Sequence, residues 1–475
     1  MPQDRHDIRR IDLAELLPWT IIFRGFRIAR DPKKIVLGAI GALVMSLGWY
    51  VIASASSAKL PTPPDPPTAE ATETQRKDYQ RQLDTYQEES LRYQYVTEAR
   101  RLPWQLAGAE HRGVYVSALD RKHGWTNFGI EVPSSFFLVV EPIRTLVLPA
   151  RLAFLSRGST GIGLLLLIWT LAVWSLFGAA ICRISAVQVA RNANVGLVEA
   201  IRFALARYVS FFTSPLLPFL GVVLIILFCV IASLVLYVPY LEIAAGVVWI
   251  LPLLAGFVIV AALLGLALGW PLMYAAIGAE ATESFDALSR AFSYVLGRPW
   301  HYLFYALLAT IYGGIIMIFA TIFAYGMIHM SQYAVSWGGV DTTSLYAFAP
   351  EAPGWRDAFG PASAPEGVVA VTPTGSRYIT ALLVGFWTHL VFVGLIGVSF
   401  SFFWSEMTII YFLLRRDVDE TEIEEVYLEE EDEEPFPTAT PTVAPPKGTI
   451  VPGPTPPPSG TGGLSLPIID PPQKP

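Results

Sequence analysis

The chain has 475 residues, of which 53% are hydrophobic and only 15% charged, where soluble domains average about 25% charged. Together with a mean hydropathy of +0.47, this excludes a soluble globular domain and points to a polytopic membrane protein. The formal net charge of −7 is concentrated in residues 417–434, and the remainder of the chain is basic.

Residues 1–34 form a basic segment containing Arg5, Arg9, Arg10, Arg24, Arg27, Arg30, Lys33 and Lys34. Over 8–30 these alternate with Ile21, Ile22, Phe23 and Phe26. That pattern fits a helix lying on an anionic membrane surface, and equally a plain topology signal. The polar stretch is too long for a cleaved signal peptide and no small-residue cleavage site follows it, so the first span is expected to be a retained anchor.

Crossing a hydrocarbon core of about 30 Å takes about 20 helical residues. Six runs qualify: 35–55, 160–182, 216–238, 245–277, 302–328 and 379–414. The fourth and sixth are longer than a straight crossing and must tilt, kink or continue past the bilayer. In the fourth, Trp249 and Trp270 lie about 31 Å apart along a helix, one at each interface. The stretch after Trp270 is then expected to project at the aqueous face.

Residues 56–159 form a long segment between the first two spans. It opens with a Pro-rich spacer, 61–67, and continues as a charged helix in which Tyr79, Leu83, Tyr86 and Tyr93 share a stripe. Such a stripe suits a short coiled coil. Over about two heptads, a solvated helix packed on its own neighbours is the expected form. The run 136–155 is apolar but interrupted by Pro142 and Pro149 and carries Glu141, Arg144 and Arg151, so it is expected to lie at the interface.

Arg and Lys flank the spans on one side: before the first, in the loops 183–215 and 278–301, and at Arg415 and Arg416 after the last. The positive-inside rule therefore places both termini in the cytoplasm. The two cytoplasmic loops resemble each other, with Glu199-Ala200-Ile201 leading to Ala204-Leu205-Ala206, and Asp286-Ala287-Leu288 leading to Ala291-Phe292-Ser293. Each predicts an amphipathic connecting helix, with Ile201, Leu205, Tyr208 and Phe212 on one apolar face and Phe285, Leu288, Phe292 and Val295 on the other. Pro215 and Pro299 follow them. A duplicated span-helix-span unit within the four-span region 160–328 is the sharper reading, and parallel repeats of this kind occur in transporters.

This arrangement, carried by residues 285–300 and their echo in the first loop, resembles certain uncharacterised bacterial multi-pass proteins. It is also faintly similar to the membrane domain that accompanies glycerophosphodiester phosphodiesterases, over the middle half of the chain. No soluble phosphodiesterase domain is present, so the resemblance implies a membrane bundle and carries over neither residues nor activity.

Ionisable residues inside spans are the default place to look for chemistry. Two are candidates: His389 within the last span, expected to hydrogen-bond a neighbouring helix, and Glu406 toward its cytoplasmic end, expected at headgroup level with access to water. Glu110, His111, Asp120 and His123 are potential metal ligands, but their spacing matches no zinc or hydrolase pattern, and a solvated charged surface is the simpler reading. No nucleotide, zinc-protease, dithiol or acyl-transfer string is present, and no cofactor is expected. Cys182 and Cys229, the only cysteines, lie in spans and are not expected to form a disulfide. Gly265 and Gly269 form a GxxxG pair in the fourth span that suits close helix packing, within the chain or between copies.

Residues 329–378, Gly, Pro and Ala rich, are expected to form an irregular extracytoplasmic loop. The last span is 379–414, and 415–475 an acidic, then Pro/Thr-rich, disordered cytoplasmic tail. Its charge disfavours anionic lipid and nucleic acid and suits a basic cytoplasmic protein. The expected molecule is an all-α bundle of about six spans in the cell membrane, both termini inside. It is expected to act as a non-enzymatic scaffold or assembly component, with the lipid bilayer and a cytoplasmic protein as its partners. The alternatives are a permease for a lipid or small molecule and a membrane-bound hydrolase.

Overall fold

The structure, a computed structural model, describes residues 17–56, 60–66, 72–100, 134–154, 160–238, 240–339, 342–346, 348 and 373–428. The chain divides into a body, Met1–Tyr427, and a second unit, Leu428–Pro475, of which Leu428 alone is described. Among the described residues every regular element is helical.

A 3-10 turn, Pro18–Arg24, and one helical turn, Gly25–Ala29, lead into α1 (Pro32–Ser54). Then come α2 (Glu73–Ala99), a 3-10 turn at Ser134–Val140, α3 (Glu141–Phe154) and α4 (Thr160–Arg191). A connecting helix, α5 (Leu197–Ala206), and a short helix, Tyr208–Thr213, precede α6 (Leu216–Ser233), which ends in a 3-10 turn at Leu234–Tyr237. The short helix Leu241–Val247 precedes α7 (Ile250–Glu280). α8 (Ser284–Gly297), α9 (Pro299–Ser336) and, after the short helix Thr342–Leu345, α10 (Ser376–Asp419) complete the body.

Six helices are long and apolar enough to cross a membrane: α1, α4, α6 with its terminal turn, α7, α9 and α10. They coincide with the six expected runs, but most extend further. At about 1.5 Å per residue, α10 is about 66 Å long, twice a hydrocarbon core. Hydropathy marks only where oil is required; backbone hydrogen bonding continues until something stops it. On α4, α7 and α10 the stop is a residue in the left-handed region, Asn192, Ala281 and Glu420 respectively, a conformation that ends the ladder. At the other ends, Asp31 caps α1 by accepting from the Lys33 N–H, with Pro32 following it, and Pro299 opens α9.

The core runs along the bundle and is densest at one end, where the first turns of α1 and the C-terminal halves of α4, α7 and α10 meet. Residues 178–190, 269–279 and 399–415 there are almost continuously buried. Trp404 of α10 stacks on Tyr274 and meets the edge of Trp270, while Trp174 stacks on Phe400 with ring centroids 4.2 Å apart. α1 crosses α10 closely, because a Cβ on Gly38 would lie 2.8 Å from the Gly397 carbonyl oxygen. This corrects the expectation for the fourth span. Residues after Trp270 do not project from the bundle but are its most buried part, since Gly278 packs on Cys182 of α4 and Tyr274 on Trp404. It is the first half of α7, with α6, that is exposed, leaving Leu253, Phe257, Val260 and Phe228 uncovered by protein.

Other expectations change in detail. The described part of the N-terminal segment does not expose all its apolar side chains. Ile22, Ile28 and Ala29 are buried, and Trp19 and Phe23 meet the rings of Phe304 and Tyr312 on α9. α5 buries Ala200, Phe203 and Ala204, and α8 buries Ala287, Ala291, Tyr294 and Val295. Leu205 and Phe285, expected on the apolar faces, are exposed instead. The small alanines decide the facing side because they let these helices lie close to the core. The described part of the run 136–155, residues 136–154, packs into the bundle, with Glu141 and Arg144 buried, and α10 carries the first acidic residues of the expected tail as helix.

Candidate functional site

Among the described residues of the body, four clusters of polar side chains stand out, with the GxxxG pair as a fifth place of close contact. The first is Lys34. Asp31, as the N-cap of α1, puts Lys34 in its first turn, where the side chain runs between α4 and α10 and is completely buried. Its ammonium donates to Gln188 Oε1 at 2.8 Å, Ser405 Oγ at 3.2 Å and Ser185 Oγ at 3.3 Å. The two serine hydroxyls lie 3.0 Å apart, and the Gln188 amide donates to Asp31 Oδ2 at 2.6 Å. One buried cation is therefore held by neutral acceptors and reaches the nearest carboxylate through Gln188. From sequence, Lys34 was only one of many basic residues before the first span. Nothing separates it from Lys33, whose ammonium donates to the Val195 carbonyl.

The second is Glu406, the residue after Ser405. It is not at a water-accessible level as expected but wholly buried, because α10 continues to Asp419 and residues 25–29 lie against it. Neither carboxyl oxygen has a hydrogen-bond partner among the described residues. The carboxyl rests on the Gly25 backbone so closely that a Cβ there would overlap Oε1. His389 is half-buried, and its Nδ1 lies 2.6 Å from the Gly385 carbonyl of its own helix.

Third, at the densest end of the core, Glu280 closes α7. Its Oε1 accepts from the Tyr411 hydroxyl at 2.6 Å and Arg415 Nη1 at 3.1 Å, and its Oε2 pairs with Arg290 at 2.6 Å. Arg415 and Arg183, both buried, also donate to the chain that follows α10. Arg415 Nη2 donates to the carbonyls of Glu422 and Glu425, and Arg183 Nη1 to that of Tyr427 at 2.8 Å. The Tyr427 N–H donates to Ala279 O at 2.9 Å. Ile423 and Val426 pack on the core, whereas Glu420, Glu422, Glu424 and Glu425 are exposed. The result is a strap, residues 420–427, gripped by its backbone with its carboxylates facing out. Tyr294 of α8 donates to Asp419 beside it. Burial, and then Asp419, raise this phenol above its ordinary range.

Fourth, toward the other end of α1, Arg144 of α3 lies between two carboxylates, with Glu98 at 3.1 Å and Glu141 at 3.1 Å, all three nearly fully buried. A small cavity lined by Met45, Ser46, Trp49 and Thr145 adjoins them. Burial pushes the Glu141 carboxyl above the usual carboxylate range, more than Arg144 pulls it down, and Glu98 adds to the rise. This cluster and the Arg100 guanidinium, which donates to the carbonyls of Ala53 and Ser56, dock the end of α2 on α1 and α3. The sequence marked Glu141 and Arg144 only as charges within an apolar run and gave no role to Glu98 or Arg100. Glu141 and Arg144 are neighbours on one helix, but the contacts of Glu98 with Arg144 and of Arg100 with Ala53 span more than forty residues, which no local pattern records.

Fifth, the GxxxG pair packs within the chain. Gly265 receives the Phe292 ring of α8, where a Cβ would lie 2.5 Å from Cε1, and Gly269 faces Ala291 at 3.6 Å. The proposed metal ligands Glu110, His111, Asp120 and His123 lie outside the described residues, as does the chain after Leu428.

No family model, curated protein or solved structure matches the chain. The resemblance carried by residues 285–300 stands on those residues alone.

Proposed function

We propose that this protein is a non-enzymatic multi-pass scaffold of the cell membrane, with both termini in the cytoplasm, that presents an acidic tail to a basic cytoplasmic protein. One observation carries this reading: the 420–427 strap is clamped by backbone contacts to Arg183, Arg415 and Ala279, so its carboxylates stay free. Glu429, Glu430, Glu431, Asp432, Glu433 and Glu434 continue the same charge. A fixed root orients the start of this acidic run, and its sign repels anionic lipid. Tyr294 of α8 holds Asp419 at the root of the strap.

The test compares native purification of the intact chain, a chain ending at Leu428, and a chain with Gln at positions 420, 422, 424 and 425. The cut is placed after the strap because earlier removal would strip donors of Arg183 and Arg415 of their partners. A basic protein that accompanies the intact chain, is weakened in the Gln variant, is lost on truncation and is released by salt supports the reading. An identical set of partners in all three contradicts it.

A second reading, a permease built on the parallel units α4-α5-α6 and α7-α8-α9, is favoured by the complete burial of Lys34 and Glu406 on helices that cross one another. It requires solute or lipid movement in liposomes that is lost in Glu406→Gln.

A further inference from the structure

We propose that α2 pairs with α2 of a second copy of this chain as a parallel, in-register coiled coil. This does not depend on what the acidic tail binds. α2 is a single helix of 27 residues, opened by a capping box at Thr72 and Gln75. The described contacts that hold it to the body lie at its last turns. Tyr95, Val96, Glu98 and Ala99 are buried, Arg151 lies over the Tyr95 ring, and Arg100 reaches back to α1.

The rest has the wrong surface for a lone helix. Tyr79, Leu83, Tyr86, Ser90, Tyr93 and Thr97 are half-buried and recur at alternating spacings of four and three, the a/d pattern of a heptad seam. The apolar stripe read from the sequence stops at Tyr93. The structure adds Ser90 and Thr97 to it, because the helix continues unbroken to Ala99. Among the described residues no hydrogen bond, ion pair or ring contact engages Tyr79, Tyr86 or Tyr93.

The flanking positions say what partner the seam takes. In this register the e and g positions from Gln75 to Gln94 are Gln75, Gln80, Gln82, Gln87, Glu89 and Gln94, and five of these six are glutamine. Lys77, Asp78, Arg81, Asp84, Glu88 and Arg92 fall on the outer b, c and f positions, where Arg81 and Asp78 already pair with each other; Arg76 takes the a position before Tyr79 and is exposed, so the seam begins at Tyr79. Charges at e and g select an oppositely charged, different partner; glutamines facing their own copies bring no repulsion. The membrane supplies the rest of the geometry. Two copies inserted in the same sense present their α2 helices pointing the same way, with the roots at Tyr95–Arg100 fixed at the same height. That is the arrangement in-register a/d pairing needs, and confinement to one membrane raises the effective concentration of a weak seam.

The experiment uses the full chain in native membranes with Cys182 and Cys229 replaced by Ala. Single cysteines are introduced at two seam positions, Leu83→Cys and Ser90→Cys, and at an outer position, Glu88→Cys. Matching seam positions of a parallel pair lie within disulfide reach and outer positions do not. Mild oxidation is expected to give a band at twice the chain mass from at least one seam variant, roughly tenfold more than from Glu88→Cys. If neither seam variant cross-links, or Glu88→Cys cross-links as well as they do, the proposal is overturned.

Discussion

Glu406 and Gly25 form one packing unit, because the carboxyl occupies the volume that any larger residue at 25 would need. Gly25→Ala is therefore expected to destabilise the body by about 1–3 kcal/mol, the usual cost of overpacking. Glu406→Ala, which shortens the opposing side chain, should recover part of that loss in the double variant. Thermal melting in detergent over the full mutant cycle measures it, and additive effects would show that the two residues do not share the space. Glu141 supplies the pH dependence. Its carboxyl titrates higher in the folded state than in the unfolded chain, so folding takes up a proton there. The stability it contributes is complete below the ordinary Glu value of about 4.3 and is lost as pH rises through the higher folded value. Hydrogen exchange at residues 95–99 should accelerate over that rise, beyond the intrinsic pH effect, in the wild-type chain and less so in Glu141→Gln; equal profiles would contradict the assignment. None of this was legible in the sequence. Glu406 is buried by residues about 380 positions away, and Glu141 read as a charge that kept an apolar run at the interface.

At the scale of helices, the sequence announces existence better than extent. Six apolar runs became six long helices because oil imposes a length that composition records. Their ends follow from other residues: Asn192, Ala281 and Glu420 in left-handed conformations, which only a backbone reveals. The faces of α5 and α8 were misplaced by about a residue, because periodicity weighs bulky side chains while close packing is set by Ala200, Ala204, Ala287 and Ala291. The GxxxG pair was legible as a contact, and its two glycines are unequal. Gly265→Ala meets the Phe292 ring and should cost about 1–3 kcal/mol, whereas Gly269→Ala finds ordinary contact distance and should stay within about 0.5 kcal/mol. Melting temperatures of the two variants in one detergent decide this; the reverse order would contradict the packing of α8 on α7.

Across the described body, packing is densest where α1 begins and where α4, α7 and α10 end, Arg183, Glu280 and Arg415 gather there, and the acidic strap closes that same end. The same end carries the basic flanks, so the scaffold reading and the positive-inside argument rest on one orientation. Composition could show that the protein belongs in a membrane. It could not show that the first acidic residues after α10 belong to the folded body, since the arginines that hold them bind carbonyls, not carboxylates, and Arg183 is distant in sequence. The orientation is tested most directly by single cysteines at Thr85 in α2 and Thr440 in the tail, in a chain with Cys182 and Cys229 replaced, treated on intact cells with a membrane-impermeant maleimide. The account predicts that Thr85→Cys reacts at once and Thr440→Cys only after the membrane is permeabilised; Thr440→Cys reacting from outside while Thr85→Cys stays silent would contradict it.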